Sequence, residues 1–123
     1  MSTLRLSAML FVLFAFAGCC LAADAKPKYD MAPFKAIADA ALKLVDGKDY
    51  PAAEKKLGEL EEKWDDGTKA LKAADRKVWT VIDKQMDVAI EAVKGAKDAA
   101  GGEKAKKEID TFLAELAKVE KVK

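Results

Sequence analysis

The sequence predicts an all-α protein: an antiparallel up-down four-helix bundle that follows a cleavable signal peptide. Four stretches carry apolar residues at the i, i+3, i+4, i+7 spacing of an amphipathic helix. No stretch shows the apolar–polar alternation that is typical of strands. A third observation is an apolar run near the N-terminus that has no polar face. The 123 residues are enough for one domain.

Residues 1–22 have the parts of a bacterial signal peptide. Arg5 supplies a basic start, Leu6 to Ala17 form the apolar run, and small residues follow. The run is shorter than the roughly 20 apolar residues that a bilayer-spanning helix needs. We therefore expect an exported protein located in the periplasm, with the signal cut between residues 18 and 25.

A second kind of processing stays open. The segment Phe16-Ala17-Gly18-Cys19 resembles a lipobox, although phenylalanine stands where leucine, valine or isoleucine is common. In that alternative Cys19 would be lipidated, and the protein would be a membrane-anchored lipoprotein.

The first helix is predicted over residues 31–46, after a polar leader at 23–30 that contains Pro27. Pro33 falls in the first turn, where proline is tolerated, and Gly47 marks the C-terminal end. The apolar stripe of this helix consists of Phe34, Ile37, Ala38, Ala41, Leu42 and Val45.

The second helix is predicted over residues 51–73, with Pro51 at its first position. Its stripe is Ala53, Leu57, Leu60 and Trp64, and the same spacing continues through Gly67, Leu71 and Ala74. The helix could stop at Gly67 or continue to about Ala73. We favour continuation, because Lys69 and Lys72 would then complement the negative helix end. Asp75 would become the N-cap of the next helix.

The third helix is predicted over residues 76–94, with Trp79 at the edge of its apolar face. Gly95 and the stretch 99–102 are expected to form a loop before a fourth helix at 103–119, and residues 120–123 are expected to fray. The apolar face of the third helix comprises Val78, Val81, Ile82, Met86, Ala89, Ile90 and Val93; that of the fourth comprises Ala105, Ile109, Phe112, Leu113, Leu116 and Val119. Six residues are expected to form the core on facing helices: Leu57, Leu60, Ile82, Ile90, Phe112 and Leu116.

Composition argues against catalysis and against cofactors. The chain contains no histidine, and its two cysteines, Cys19 and Cys20, lie in the predicted signal region. Imidazole and thiolate are the usual bases, nucleophiles and metal ligands. Removal of residues 1–22 would leave 21 basic and 21 acidic residues, so the mature chain has no electrostatic footprint for nucleic acid. We expect no enzyme and no bound cofactor.

One acidic cluster could bind a hard cation. Its members are Glu59, Glu61, Glu62, Asp65 and Asp66. Like charges four residues apart on a helix cost a few tenths of a kcal/mol each, and oxygen ligands suit calcium or ferric iron. The alternative is a solvated face that neighbouring lysines neutralise, and we favour it, so no metal ligands are assigned.

Other residues have both a functional and a structural interpretation. Trp64 and Trp79 could stack on a ligand, but their positions favour the core and its edge. Met86 could be a soft ligand, yet a lone thioether without histidine favours core filling. Gln85 is either a buried polar residue or a boundary residue. The lysines of the last helix alternate with acids, which is typical of a solvated surface rather than a membrane-binding one.

The segment Gly47-Lys48-Asp49-Tyr50 between the first two helices, with Trp64, Asp75 and Trp79 around the next boundary, resembles small extracytoplasmic four-helix domains. One such domain is the helical periplasmic domain of bacterial high-affinity iron permeases. The likeness covers most of residues 31–119, and it implies a helical bundle in the envelope. The permease motif Arg-Glu-x-x-Glu is not matched, because Glu59-Leu60-Glu61-Glu62 follows Gly58. The architecture also resembles soluble b-type cytochromes, without their histidine ligand.

Together these observations predict an exported, non-enzymatic helical interaction or binding module. Its expected partner is another envelope protein or a second copy of itself. Two alternatives remain: an accessory cation-binding protein in envelope iron uptake, and a structural lipoprotein anchored through Cys19. A cation site would require carboxylates that converge from two helices rather than one exposed row.

Overall fold

The computed structural model of the chain describes residues 29–121. These residues form five helices: α1 (Ala32–Asp46), α2 (Tyr50–Gly67), α3 (Lys69–Ala74), α4 (Arg76–Lys94) and α5 (Ala99–Glu120). No strand occurs in this range, and the all-α prediction is confirmed. None of the five helices is apolar over a long enough stretch to cross a membrane. The predicted signal peptide, its cut site and Cys19 lie outside the described residues.

The helices pack around one hydrophobic core. α1 packs on α2 and α4 packs on α5, while α1 also contacts α5, and α4 also contacts α2 and α3. Each long helix directs one apolar stripe inward, as its periodicity predicts. All six predicted core residues are buried: Leu57, Leu60, Ile82, Ile90, Phe112 and Leu116.

The prediction of one continuous helix over residues 51–73 is wrong. α2 ends at Gly67, and Thr68 separates it from the short α3. Thr68 is a buried polar residue, only 2% exposed, and its hydroxyl donates to the backbone carbonyl of Trp64. The tight packing of Gly67 accompanies this break, since a Cβ there would lie 3.1 Å from the Phe34 ring. The contacts of Gly67 with Phe34 and of Thr68 with Trp64 thus lie at a break that the electrostatic argument for continuation did not anticipate.

The predicted N-cap of the third helix is confirmed. The Asp75 carboxylate accepts a hydrogen bond from the Val78 N–H at 3.1 Å, and α4 starts at Arg76. A side chain at this position satisfies one of the free N–H groups of the first helical turn.

The prediction of a loop at residues 99–102 is also wrong, because α5 begins at Ala99. The Asp98 carboxylate caps this helix by accepting from the Gly101 N–H at 2.8 Å. Gly102 is buried beneath Tyr50, and a Cβ at Gly102 would lie 2.6 Å from the Tyr50 hydroxyl oxygen. Glycine here allows a close approach between helices rather than a turn. At the other end, Glu120 was expected to fray but still belongs to α5.

The turn after α1 places a lysine in a left-handed conformation. Lys48 has φ = 63°, whereas Gly47 has φ = −81°. The Lys48 N–H donates to Val45 and the Asp49 N–H donates to Leu44, the pair of bonds that defines a Schellman motif. Gly47 ends the helix as predicted, but the left-handed backbone conformation that favours glycine occurs at the next residue, Lys48.

Candidate functional site

The acidic residues singled out in the sequence lie along the outer side of α2. Glu61, Glu62, Asp65 and Asp66 are exposed, and Glu59 is half-buried. Glu59 pairs with Lys56 at 3.2 Å. Over residues 29–121, no three acidic, histidine or cysteine side chains are grouped so that they could hold a metal ion. The structure therefore places these carboxylates in an exposed row without assembling them into a metal site.

The two tryptophans lie where α2, α3 and α4 meet. Trp64 is fully buried, with Phe34 and Phe112 packed against its ring edge-on at centroid distances of 5.4 and 6.5 Å. Trp79 stacks on it at 6.1 Å with an interplanar angle of 22°. These contacts place Trp64 in the core and Trp79 at its edge.

Trp79 is further engaged by polar groups of the segment that follows α2. Its indole N–H donates to the Thr68 hydroxyl at 2.8 Å, and the Lys72 ammonium lies 4.2 Å from its ring centroid. Thr68 thus connects the end of α2 to α4 through a side-chain hydrogen bond. These contacts give Trp79 a structural role at the helix break.

A polar group lies beside the core next to Trp64. The indole nitrogen of Trp64 is buried, and no group in residues 29–121 meets hydrogen-bond geometry with it. The nearby Asp83 carboxylate has a raised pKa, because it is partly buried and because Asp87 and Asp65 add negative charge. The Trp64 indole and Lys72 act in the opposite direction. Asp83 is therefore held in a setting that disfavours its ionised form.

The remaining singled-out side chains have structural partners. Met86 is buried in the core. Gln85 is half-buried and donates to the backbone oxygen and carboxylate of Glu108, at 3.1 and 2.9 Å. Gln85 is thus a boundary residue that joins α4 to α5.

The α4 surface exposes two valines: Val81, which was predicted in the apolar face, and Val88, which was not singled out. Val81 and Val88 are 50% and 46% exposed, and they are the exposed large hydrophobic residues within residues 29–121. Counting Val81 in the buried face was wrong. Seven residues apart on one helix, both valines point to the same side.

Each exposed valine lines a shallow groove. Groove A, of about 350 Å³, lies between the start of α4 and the end of α5 and is lined by Lys77, Val78, Val81, Ile82, Glu115, Lys118 and Val119. Groove B, of about 310 Å³, lies near the end of α4 and is lined by Asp87, Val88, Glu91, Ala92 and Lys104. Apolar side chains form the floor of both grooves, and charged side chains form their rims. We call this surface the α4 face.

Comparison with known proteins adds no assignment to this geometry. No protein-family model matches the chain, and no curated protein or solved structure does.

Proposed function

We propose that the chain is an exported bacterial helical module that acts in the periplasm by binding another protein or a second copy of itself, without catalysing a reaction. The observation that carries this proposal is the α4 face with its exposed Val81 and Val88. Small-molecule sites are usually concave and have converging polar groups. An apolar strip with a charged rim instead has the make-up of a protein interface.

The fold proposed for this module is the antiparallel up-down four-helix bundle, with α3 as part of the connection between the second and third long helices. Two ion pairs support antiparallel α1 and α5. Lys35 near the start of α1 pairs with Glu120 at the end of α5 at 3.2 Å, and Asp46 at the end of α1 pairs with Lys106 at 2.9 Å. The stacking of Trp64, late in α2, on Trp79, early in α4, supports the same arrangement for those helices.

Export is supported by the basic start, apolar run and small residues within residues 1–22. Cell fractionation and mass spectrometry of the N-terminus test it. We expect a periplasmic chain that lacks at least residues 1–17, and an intact Met1 on a cytoplasmic chain would contradict export. Cys19→Ala separates the two processing routes, because only a lipoprotein would lose its membrane tether.

The interaction itself can be tested by site-specific photo-crosslinking in intact cells. A photoreactive amino acid at Val88 should give a defined adduct, because this side chain is exposed within the α4 face. The control position is Glu62, which is exposed on α2. Equal adduct patterns at the two positions, or none at either, would overturn the proposed function.

A further inference from the structure

The α4 face has the spacing of a helix–helix interface. Val78, Val81, Gln85, Val88 and Ala92 follow one another at intervals of three and four residues. This alternation keeps side chains on one seam between two packed helices. Ile82 and Ala89 beside this seam are buried, so the seam extends the core outward to the surface. α5 lies along one side of it, and the other side carries Lys77, Lys84 and Glu91, all exposed.

We propose that the α4 face binds the α4 face of a second copy of this chain, with the two α4 helices antiparallel. The proposal rests on the proposed interaction function and names its partner. A two-fold interface must be complementary to itself. Reversal of α4 about a point between Lys84 and Gln85 places Val81 opposite the copy's Val88, and Val78 within one residue of its Ala92.

Charge supports the antiparallel orientation. The rim of groove A contains Lys77, Lys118 and Glu115, with one net positive charge. The rim of groove B contains Asp87, Glu91 and Lys104, with one net negative charge. In the antiparallel dimer each groove A faces the groove B of the copy, so opposite charges meet twice. Parallel helices would bring like charges together and are disfavoured.

The charged residues on the side of the seam away from α5, Lys77, Lys84 and Glu91, also favour the antiparallel orientation. The same reversal places Lys77 within one residue of the copy's Glu91, again twice, whereas Lys84 lies near the two-fold axis and faces its own copy. Two attractive contacts and one repulsive contact at a single helix face indicate a weak dimer. Interfaces below about 1,200 Å² are usually transient, so we expect a dissociation constant in the range of about 10 µM to 1 mM.

Sedimentation equilibrium of the purified protein tests the proposal. The protein concentration should reach about 1 mM, the upper end of the range expected for the dissociation constant. Lys77→Glu and Glu91→Lys should each weaken the dimer about tenfold, because each replaces two attractive contacts by repulsive ones. The double variant should recover most of the loss, because the opposite charges then meet again. Lys84→Gln should strengthen the dimer by removing the repulsion at the axis. Lys63→Glu, on the exposed side of α2, is the matched control and should change nothing.

A chain that stays monomeric at about 1 mM would overturn the inference, since even a dissociation constant at the upper end of the expected range would leave much of the chain dimeric at this concentration. Additive losses in the double variant would overturn it as well. Circular dichroism of each variant shows whether the helices are retained, which separates loss of the dimer from loss of the fold. The crosslinking experiment at Val88 separates the two proposals. An adduct of twice the chain mass supports both, and an adduct only with a different protein overturns the dimer while leaving the proposed function intact.

Discussion

Gly102→Ala is expected to destabilise the protein, although alanine is the better helix former. The reason is the close packing of Tyr50 on this glycine. A Cβ at Gly102 would lie 2.6 Å from the Tyr50 hydroxyl oxygen and 3.3 Å from two ring carbons. The Tyr50 hydroxyl also donates to the Asp98 carbonyl at 3.1 Å, so displacement of the ring breaks a bond between the start of α2 and the residue that caps α5.

The size of the effect follows from three contributions. Glycine to alanine in a helix gains about 0.8–1 kcal/mol. Loss of the tyrosine hydrogen bond costs about 0.5–1.5 kcal/mol. Displacement of the ring from a filled site costs about 1–3 kcal/mol. Gly102→Ala should therefore lower the free energy of unfolding by about 1–3 kcal/mol.

Gly58 provides the matched control, because it lies within α2, is exposed, and has no atom within 4 Å of an added Cβ. Gly58→Ala should raise the free energy of unfolding by about 0.5–1 kcal/mol. Both values can be measured by urea denaturation followed by circular dichroism. In a Tyr50→Phe background the cost of Gly102→Ala should shrink, since the closest atom is gone. The reasoning is refuted if Gly102→Ala stabilises the protein as much as Gly58→Ala does.

Three further predictions concern stability. Lys48→Gly should stabilise by about 0.5–1 kcal/mol in thermal denaturation, since glycine adopts a positive φ without strain. Gly47→Ala should leave the melting temperature nearly unchanged. If it lowers the melting temperature by more than Lys48→Gly raises it, the assignment of Lys48 as the left-handed residue is contradicted. Asp83→Asn should raise the melting temperature at pH 7, because a raised pKa means that the charged form opposes folding. This gain should shrink as the pH falls through the pKa of folded Asp83, and a gain that is constant with pH would disprove its electrostatic origin. Leu60→Ala and Phe112→Ala should each cost about 2–5 kcal/mol in urea denaturation, and a loss within about 0.5 kcal/mol would place that residue outside the core.

Local signals in the sequence were sufficient for most of the helices. The helix predicted over 76–94 has those bounds in the structure, because Asp75 caps it and Gly95 follows it. The first helix begins at Ala32, one residue later than predicted, and ends at Asp46 as predicted. Periodicity and capping act within a few residues, so a single chain segment contains the information that sets these bounds.

The errors arise where distant residues decide the local structure. Glycines at 101 and 102 indicated a loop, yet both are helical, and Gly102 leaves the space in which Tyr50, far away in the chain, packs against α5. The break after Gly67 accompanies contacts of Thr68 and Phe34 with other elements. Tertiary packing of this kind overrides local propensity, and periodicity cannot reveal it.

The candidate interface illustrates a different limit. The sequence shows which residues of α4 are apolar, but it does not show which of them the neighbouring helices cover. Val81 and Val88 remain exposed. The structure leaves Val81 outside and places Ile82 inside. An apolar helix position therefore predicts that its side chain is buried against another surface. Only the positions of the other helices show whether that surface belongs to the same chain.

The Lys35–Glu120 pair joins the start of α1 to the end of α5, which makes a circular permutation of the chain feasible. Because the first and last helices are neighbours, a short linker between residues near 29 and 121 could close the backbone into a ring. New termini could then be opened in the turn at Lys48, which is exposed. Such a circular permutant would preserve the helix contacts while separating α1 from α2 in the sequence. The α1–α2 pairing would change from a local contact to one between chain ends, and folding should slow while the native architecture is retained.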